Sequence, residues 1–299
     1  MTAMLFWVEE LLFKMARELT ANQIAERSII KKYRKEIWNP FIAAVKRYRL
    51  IQEGDKIAVC ISGGKDSMLM AKLIGQLRRI SDIPFEAVYL VMDPGYNREN
   101  RKKIEDNARL LELPITVFET DIFDVADSVE QSPCYLCARM RRGHLYSKAK
   151  EMGCNKIALG HHLNDVIETT LMGMMYGSQI QGMLPRLKST NFEGMELIRP
   201  MYCIKENAII SWARYNSLEF IACACKFTEN SAKAEFEELS KRKETKELIK
   251  KLSETNPDIE HNLFKSLHNV NLDTLIEYKT GDLRHSFLER FEDNKRDLF

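Results

Sequence analysis

The 299-residue chain has no apolar run long enough to cross a bilayer as a helix, which excludes a helical membrane protein. It has almost no excess charge of one sign: 45 Lys and Arg against 43 Asp and Glu leave a formal net charge of +2. The global balance therefore argues neither for nor against a nucleic-acid partner, and only local clusters can. There is no internal repeat and no low-complexity segment, so solenoid and disordered-tail readings fall away. No secretory leader is expected either. The opening MTAMLFWVEELLFKMARELT is interrupted by Glu9 and Glu10, has no basic stretch before it and no small-residue cleavage site after it. It reads as an amphipathic helix, and the expected location is the cytoplasm. The seven cysteines are odd in number, in a long chain without an export signal, which argues against a disulfide framework.

What remains is a globular chain, 45% apolar, long enough for one large domain with additions or for two domains. Residues 5–50 read as helical, with Lys31, Lys32, Arg34, Lys35, Lys46, Arg47 and Arg49 interleaved with Tyr33, Trp38 and Tyr48. Strand and helix patterns then alternate. KIAVCIS, FEAVYLVM, ITVFET, KIALG and MELIRP are the strand candidates, and helices are expected over 66–80, 97–111, 138–152, 163–176 and 206–217. Strands separated by helices of ten or more residues pair in parallel through right-handed crossovers. The expected fold is α/β: an open, mainly parallel five-stranded sheet with helices on both faces over 51–225. A basic helical region, 1–50, precedes it, and a charge-rich, wholly helical region, 226–299, follows.

The junction Ser62-Gly63-Gly64-Lys65-Asp66-Ser67 joins the first strand to its helix. In an open α/β sheet, ligands bind at the carboxyl ends of the strands. Glycines let backbone N–H groups approach a phosphate, the following helix N-terminus adds partial positive charge, and Lys65 and the two serines supply further donors. The Walker motif needs four residues between its glycines, and this turn is too compact for it. The hexapeptide resembles the signature of the PP-loop ATP pyrophosphatases (adenine nucleotide alpha hydrolase-like fold), which cleave ATP to AMP and pyrophosphate. The resemblance implies that Ser62, Gly63, Gly64, Lys65, Asp66 and Ser67 bind ATP, with Asp66 a partner for Mg²⁺.

Of the cysteines, Cys60 and Cys154 read as packing residues and Cys203 is undecided. Cys134 and Cys137 form a C-x-x-C just ahead of a predicted helix and beside Arg139, Arg141 and Arg142, a setting that lowers thiol pKa values. Cys223 and Cys225 form a C-x-C. Taken on residue type and spacing, these pairs fit half or all of a zinc site, a redox pair, or ligands of an iron–sulfur cluster.

Six segments in order, SGGKDS, PCYLCARMRRGHLY, KIALGHHLNDVIETTLM, MYGSQIQGMLPRLK, LIRPMYCIKE and NPDIEHNLFKSLHNV, resemble the tRNA 2-thiocytidine synthetase family over residues 51–270. That resemblance implies a [4Fe–4S] cluster held by three cysteines, leaving one iron free to carry sulfide. Cys134 and Cys137 map directly and the third ligand maps to Cys223, with Cys225 the alternative. The family's Pro-Cys-x-x-Cys-Gly is Ala-Cys-Ala-Cys-Lys in this chain. In the same way Gly160, His161 and Asp165 of LGHHLND are implied to contact ATP, although two adjacent histidines at a strand end point to opposite sides and often make only a polar turn.

The implied activity is an ATP-dependent tRNA sulfurtransferase that adenylates O2 of a cytidine, at position 32 of the anticodon loop, and replaces that oxygen with sulfur. Catalytic roles fall to Cys134, Cys137, Cys223, Lys65, Asp66 and Asp165. Lys31, Lys32, Arg34, Lys46, Arg47, Arg141 and Arg142 are the candidate tRNA contacts, since phosphates attract cations and unpaired bases stack on aromatic or guanidinium faces. The implied partners are tRNA, a sulfur donor (a cysteine desulfurase or sulfide) and a second copy in a homodimer. The alternatives are a cluster-bearing PP-loop enzyme acting on another tRNA base or a small molecule, and a non-catalytic RNA-binding protein with a structural zinc site.

Overall fold

The structure, a computed structural model, describes residues 19–120, 122, 133–221, 233–289 and 291, with backbone alone for 133–139 and 233–240. Among them no helix is long and apolar enough to cross a membrane. The described residues divide into two compact units, one up to Lys246 and one from Glu247.

The first unit is built on a six-stranded sheet of order β3-β2-β1-β4-β6-β5. Its strands are β1 Lys56–Ile61, β2 Glu86–Asp93, β3 Ile115–Glu119, β4 Lys156–Ala158, β5 Arg186–Lys188 and β6 Glu196–Ile198. The five expected strands are present and mutually parallel; the sixth, β5, pairs antiparallel with β6 at the edge. Central β1 has neighbours on both sides and is buried from Ile57 to Ile61, which is why it reads as a continuous apolar run. Cys60 and Cys154 pack with Leu90, Ile157 and Tyr146 in one core cluster, and burial pushes the Cys60 thiol up to about 12, so this cysteine is inert packing.

The helices between the strands are α3 Lys65–Ile80, α4 Arg98–Leu110, α5 Pro133–Glu151 and α6 Leu163–Gly177; α7 Glu206–Tyr215 follows the last strand, and α1 Ala21–Ile30 and α2 Asn39–Arg47 precede the first. Helix α5 starts earlier than the sequence pattern indicates, so residues 134 and 137 lie in its first turns rather than ahead of it. Between α1 and α2 the chain winds as a π-helix over Arg34–Trp38, with the Trp38 N–H bonded to the Tyr33 carbonyl. Pro40, which has no N–H, breaks the regular ladder at that point. Residues 5–18 of the expected N-terminal helix lie outside the described residues.

Two buried ion pairs tie the elements together. Lys156 Nζ, at the start of β4, meets Asp55 Oδ2 at 2.6 Å and the Leu50 carbonyl at 3.1 Å. Lys72 Nζ on α3 meets Glu26 Oε1 at 2.6 Å on α1. Removing one partner of such a pair costs about 3–5 kcal/mol, because the other charge stays buried.

Helix α8, Lys233–Thr255, follows, and the second unit contains α9 Ile259–Ser266. It is not wholly helical: β7 Glu277–Thr280 and β8 Leu283–Ser286 form an antiparallel hairpin about Gly281, at φ +62°. A two-residue Gly-Asp loop with positive φ matches the twist of hairpin strands, and this corrects the expected all-helical C-terminal region.

Candidate active site

The strand order reverses at β1 and β4, which leave in opposite directions from the centre of the sheet. A crevice opens at their carboxyl ends, where two sequence motifs converge. On the β1 side, Ser67 holds the glycine turn in shape. Its hydroxyl accepts from the Ser62 N–H at 3.1 Å and donates to the Gly64 carbonyl at 3.0 Å, and the side chain is buried. Gly63 sits at φ +84°, and a Cβ there would lie 2.5 Å from Ile104 Cγ1. A side chain is therefore excluded twice, by conformation and by space. Gly64 is the N-cap of α3 with no side chain capping the first turn, which leaves that turn's N–H groups for an anion. Lys65 Nζ lies 3.1 Å from Asp66 Oδ2 and 3.3 Å from Glu206 Oε1. Burial pulls its pKa down, but the two carboxylates outweigh that and the net shift is upward.

On the β4 side, Gly160 packs directly on the Asp66–Ser67 backbone. His162 caps α6: its Nδ1 accepts from the Asp165 N–H at 3.3 Å while Asp165 Oδ2 accepts the His162 N–H at 2.9 Å. Asp165 also pairs with Arg242 Nη2 of α8 at 2.5 Å, and the same guanidinium reaches buried Glu168 through Nε at 3.1 Å. Lys246, one turn further along α8, meets Glu206 at 2.5 Å.

These residues wall a cavity of about 610 Å³, lined by Ser62, Asp66, Ser67, Gly160, His161 and Asp165, with Arg141, Arg142, Arg199 and Arg242 around it. Asp66 Oδ1, His161 Nδ1 and Arg199 Nε are buried there without a hydrogen-bond partner. Buried polar atoms are normally paired, so three such atoms in one cavity mark a place where a polar ligand completes the bonding. Burial, then the nearby Arg199, pushes the His161 imidazole down to about 4, so it is neutral at pH 7. Burial pushes the Arg199 guanidinium down to about 10, which leaves it cationic at pH 7.

Most of the expected ATP-site residues thus meet at one cavity, and Gly64 and Lys65 line a smaller one of about 330 Å³ that shares Asp66. Arg141 and Arg142 join them, whereas Lys31, Lys32, Arg34, Lys46 and Arg47 lie exposed and line neither cavity. Tyr33 and Trp38 are core residues, each 7% exposed, and the Tyr33 hydroxyl donates to the Ser211 carbonyl at 2.9 Å. They offer no stacking face, whereas Tyr48 is half-buried beside Arg47. The side chains of Cys134 and Cys137, and all of Cys223 and Cys225, lie outside the described residues. Sequence reasoning missed Arg199, Arg242 and Glu206. Arg199 carried a signal, being a cation at the carboxyl end of a buried strand; Arg242 and Glu206 reach the site only through the tertiary fold.

Residues 28–227 match the model of the PP-loop domain. The tRNA-cytidine(32) 2-sulfurtransferase of Geobacter metallireducens is 36% identical over 243 residues, covering 80% of this chain and 91% of that protein. The chain belongs to the tRNA-cytidine(32) 2-sulfurtransferase family. Membership makes it an ATP-dependent sulfurtransferase. Another member of the family, from Psychrobacter sp., is 31% identical over 275 residues, 90% of this chain and 71% of its own length. Among solved structures, the U34-tRNA thiolase NcsA from Methanococcus maripaludis with its [4Fe-4S] cluster superposes with a TM-score of 0.60 at 20% identity, covering 78% of this chain and 77% of that one. This last likeness is one of fold.

Proposed function

We propose that this sulfurtransferase adenylates O2 of cytidine 32 in tRNA and exchanges that oxygen for sulfur. The observation that carries the reading is the cavity at the β1/β4 reversal, where the compact glycine turn meets Asp66 Oδ1, His161 Nδ1 and Arg199 Nε, all buried without a hydrogen-bond partner. The turn presents main-chain N–H groups and Lys65 to the pyrophosphate that leaves. Neutral His161 and the arginines meet the remaining phosphate oxygens, where negative charge builds during transfer.

The chemistry balances without a redox step. O2 forms a bond to the α-phosphorus as pyrophosphate departs with its electron pair. Sulfide then adds at C2, and AMP leaves carrying the former O2. The unpartnered Asp66 Oδ1 suits Mg²⁺, which prefers a few carboxylate ligands alongside phosphate oxygens, so Asp66 would hold the ion and the ion would neutralise phosphate charge. For the [4Fe–4S] cluster, residues 134 and 137 stand three apart in the first turns of α5, a spacing that places both on one helix face. They and Cys223, or Cys225, are the proposed ligands, and the bound cluster would supply the holding of sulfide for transfer. Exposed Lys31, Lys32, Arg34, Lys46 and Arg47 supply phosphate contacts to the tRNA, and Arg141 and Arg142 approach the target from the cavity wall. The sulfur donor is sulfide, or a cysteine desulfurase whose persulfide sulfur is first brought to the sulfide level by a two-electron thiol reductant.

The test joins two measurements. Anaerobically purified protein should contain iron and acid-labile sulfide, and tRNA from a deletion strain should lack 2-thiocytidine. Zinc without iron, or unchanged 2-thiocytidine, overturns the reading.

A further inference from the structure

The segment MYGSQIQGMLPRLK touches the nucleotide cavity through Met183 alone among its described residues, yet its fold is specific. Helix α6 ends at Gly177 and the chain turns through Ser178, at φ 51°. The Gln179 N–H then returns to the Gly173 carbonyl at 3.0 Å. Gly173 makes room for this return, since a Cβ there would stand 3.1 Å from the Gln179 oxygen. The fixed turn walls a third cavity of about 460 Å³, with Gln179, Gln181, Met183, Leu184 and Arg199 among its lining. Met183 and Arg199 line the nucleotide cavity too, so the two spaces share a wall. Arg199 Nη1 is held by the Leu184 carbonyl, while its Nε–H is buried and unpartnered.

We propose that this third cavity receives the target pyrimidine of the RNA substrate, with the amides of Gln179 and Gln181 facing the base edge and Arg199 at the junction with the nucleotide. The inference rests on the proposed function, because adenylation needs a carbonyl oxygen brought to the α-phosphorus from a space that abuts the nucleotide's. The volume falls within the roughly 300–1,000 Å³ of small-ligand pockets. None of the described lining residues is acidic, and two are amides, which suits a neutral, polar-edged base. Leu184, 62% exposed, gives apolar surface to a base taken out of its stack. As O2 bonds to phosphorus and pyrophosphate leaves, charge grows on the phosphoryl oxygens, and the free Arg199 Nε–H is placed to receive it.

Photocrosslinking tests the placement. An anticodon stem-loop RNA carrying 5-iodocytidine at the target position is irradiated with the full-length, cluster-loaded protein and a non-hydrolysable ATP analogue. Adducts should map to the segment from Tyr176 to Leu187; adducts confined elsewhere, or none, overturn the proposal. In parallel, the exposed pair Gln179→Ala and Gln181→Ala should together lower kcat/KM for tRNA at least tenfold with the Kd for ATP within twofold. An unchanged kcat/KM overturns it as well. A wild-type protein that crosslinks through this segment but forms no 2-thiocytidine removes the proposed function and keeps the base subsite; thiolation with adducts elsewhere does the reverse.

Discussion

Gly160 rests on the backbone of Ser67: a Cβ at position 160 would stand 3.1 Å from the Ser67 nitrogen and 3.2 Å from the Asp66 carbonyl carbon. The two ligand-binding turns, one from β1 and one from β4, therefore touch through a residue that has no side chain. The family resemblance implies an ATP contact for this glycine; in the fold it lets the glycine-rich turn and the histidine turn close on each other.

Gly160→Ala should consequently damage both stability and nucleotide binding. Backbone atoms meet the new methyl, so the turn itself must shift, and overpacking of this kind costs about 1–3 kcal/mol. The expected outcome is a lower Tm together with ATP affinity weakened about tenfold or more, read by calorimetric titration. Wild-type affinity would show that the two turns are not mechanically linked.

His161 gives the protein an acid-side sensitivity. Its folded pKa, depressed to about 4, lies below the ordinary 6.5. The unfolded chain therefore binds more protons between those values, so stability is full above about pH 6.5 and is lost as pH falls toward 4. The loss amounts to at most about 3 kcal/mol. Urea unfolding at pH 7 and pH 5 should show a smaller pH difference for His161→Asn than for the wild type.

Arg242 and Glu168 work in the opposite direction. Burial raises the Glu168 pKa, and the Arg242 guanidinium opposes that rise. A carboxyl raised above its unfolded value loses stability as pH climbs from the ordinary carboxylate range through the raised value. Arg242→Ala removes the opposing cation and widens that window. Because Arg242 is half exposed, solvent screening limits its direct contribution, and a loss of about 1 kcal/mol at pH 8, smaller at pH 5, is expected. Adding Glu168→Gln should recover most of it; a loss equal at both pH values would mean that Arg242 acts only through Asp165.

The parts of the molecule legible from sequence are those governed by local pattern. Parallel strands buried on both sides, such as β1, announce themselves as apolar runs, and the glycine turn carries its spacing openly. Strand β5 did not, because three residues, Arg186–Lys188, show no period and exist as a strand only through β6. The Gly281-Asp282 hairpin was readable as a turn signal but lay inside a charge-rich stretch that invites a helical reading. Tyr33 and Trp38 share the chain with exposed cations, yet both are buried in the link between α1 and α2. Arg242 and Glu206 are distant in sequence from Asp165 and Lys65, and no local pattern announces those pairs.

The cysteines supply the last prediction. Cys134→Ala should abolish sulfur transfer and leave ATP binding nearly intact, because the family resemblance gives this thiol to the cluster and the glycine turn at Ser62–Ser67 to the nucleotide. Equal loss of both would make these thiols structural. Between the later cysteines, the family correspondence favours Cys223 as the third ligand. Cys223→Ser should therefore lose the visible charge-transfer absorbance and most of the iron, whereas Cys225→Ser keeps both. A thiolate ligand replaced by a hydroxyl binds iron far more weakly, since clusters are held by soft sulfur donors. The reverse pattern would move the ligand to Cys225, where the shortened Ala-Cys-Ala-Cys-Lys loop delivers its second thiol instead of its first.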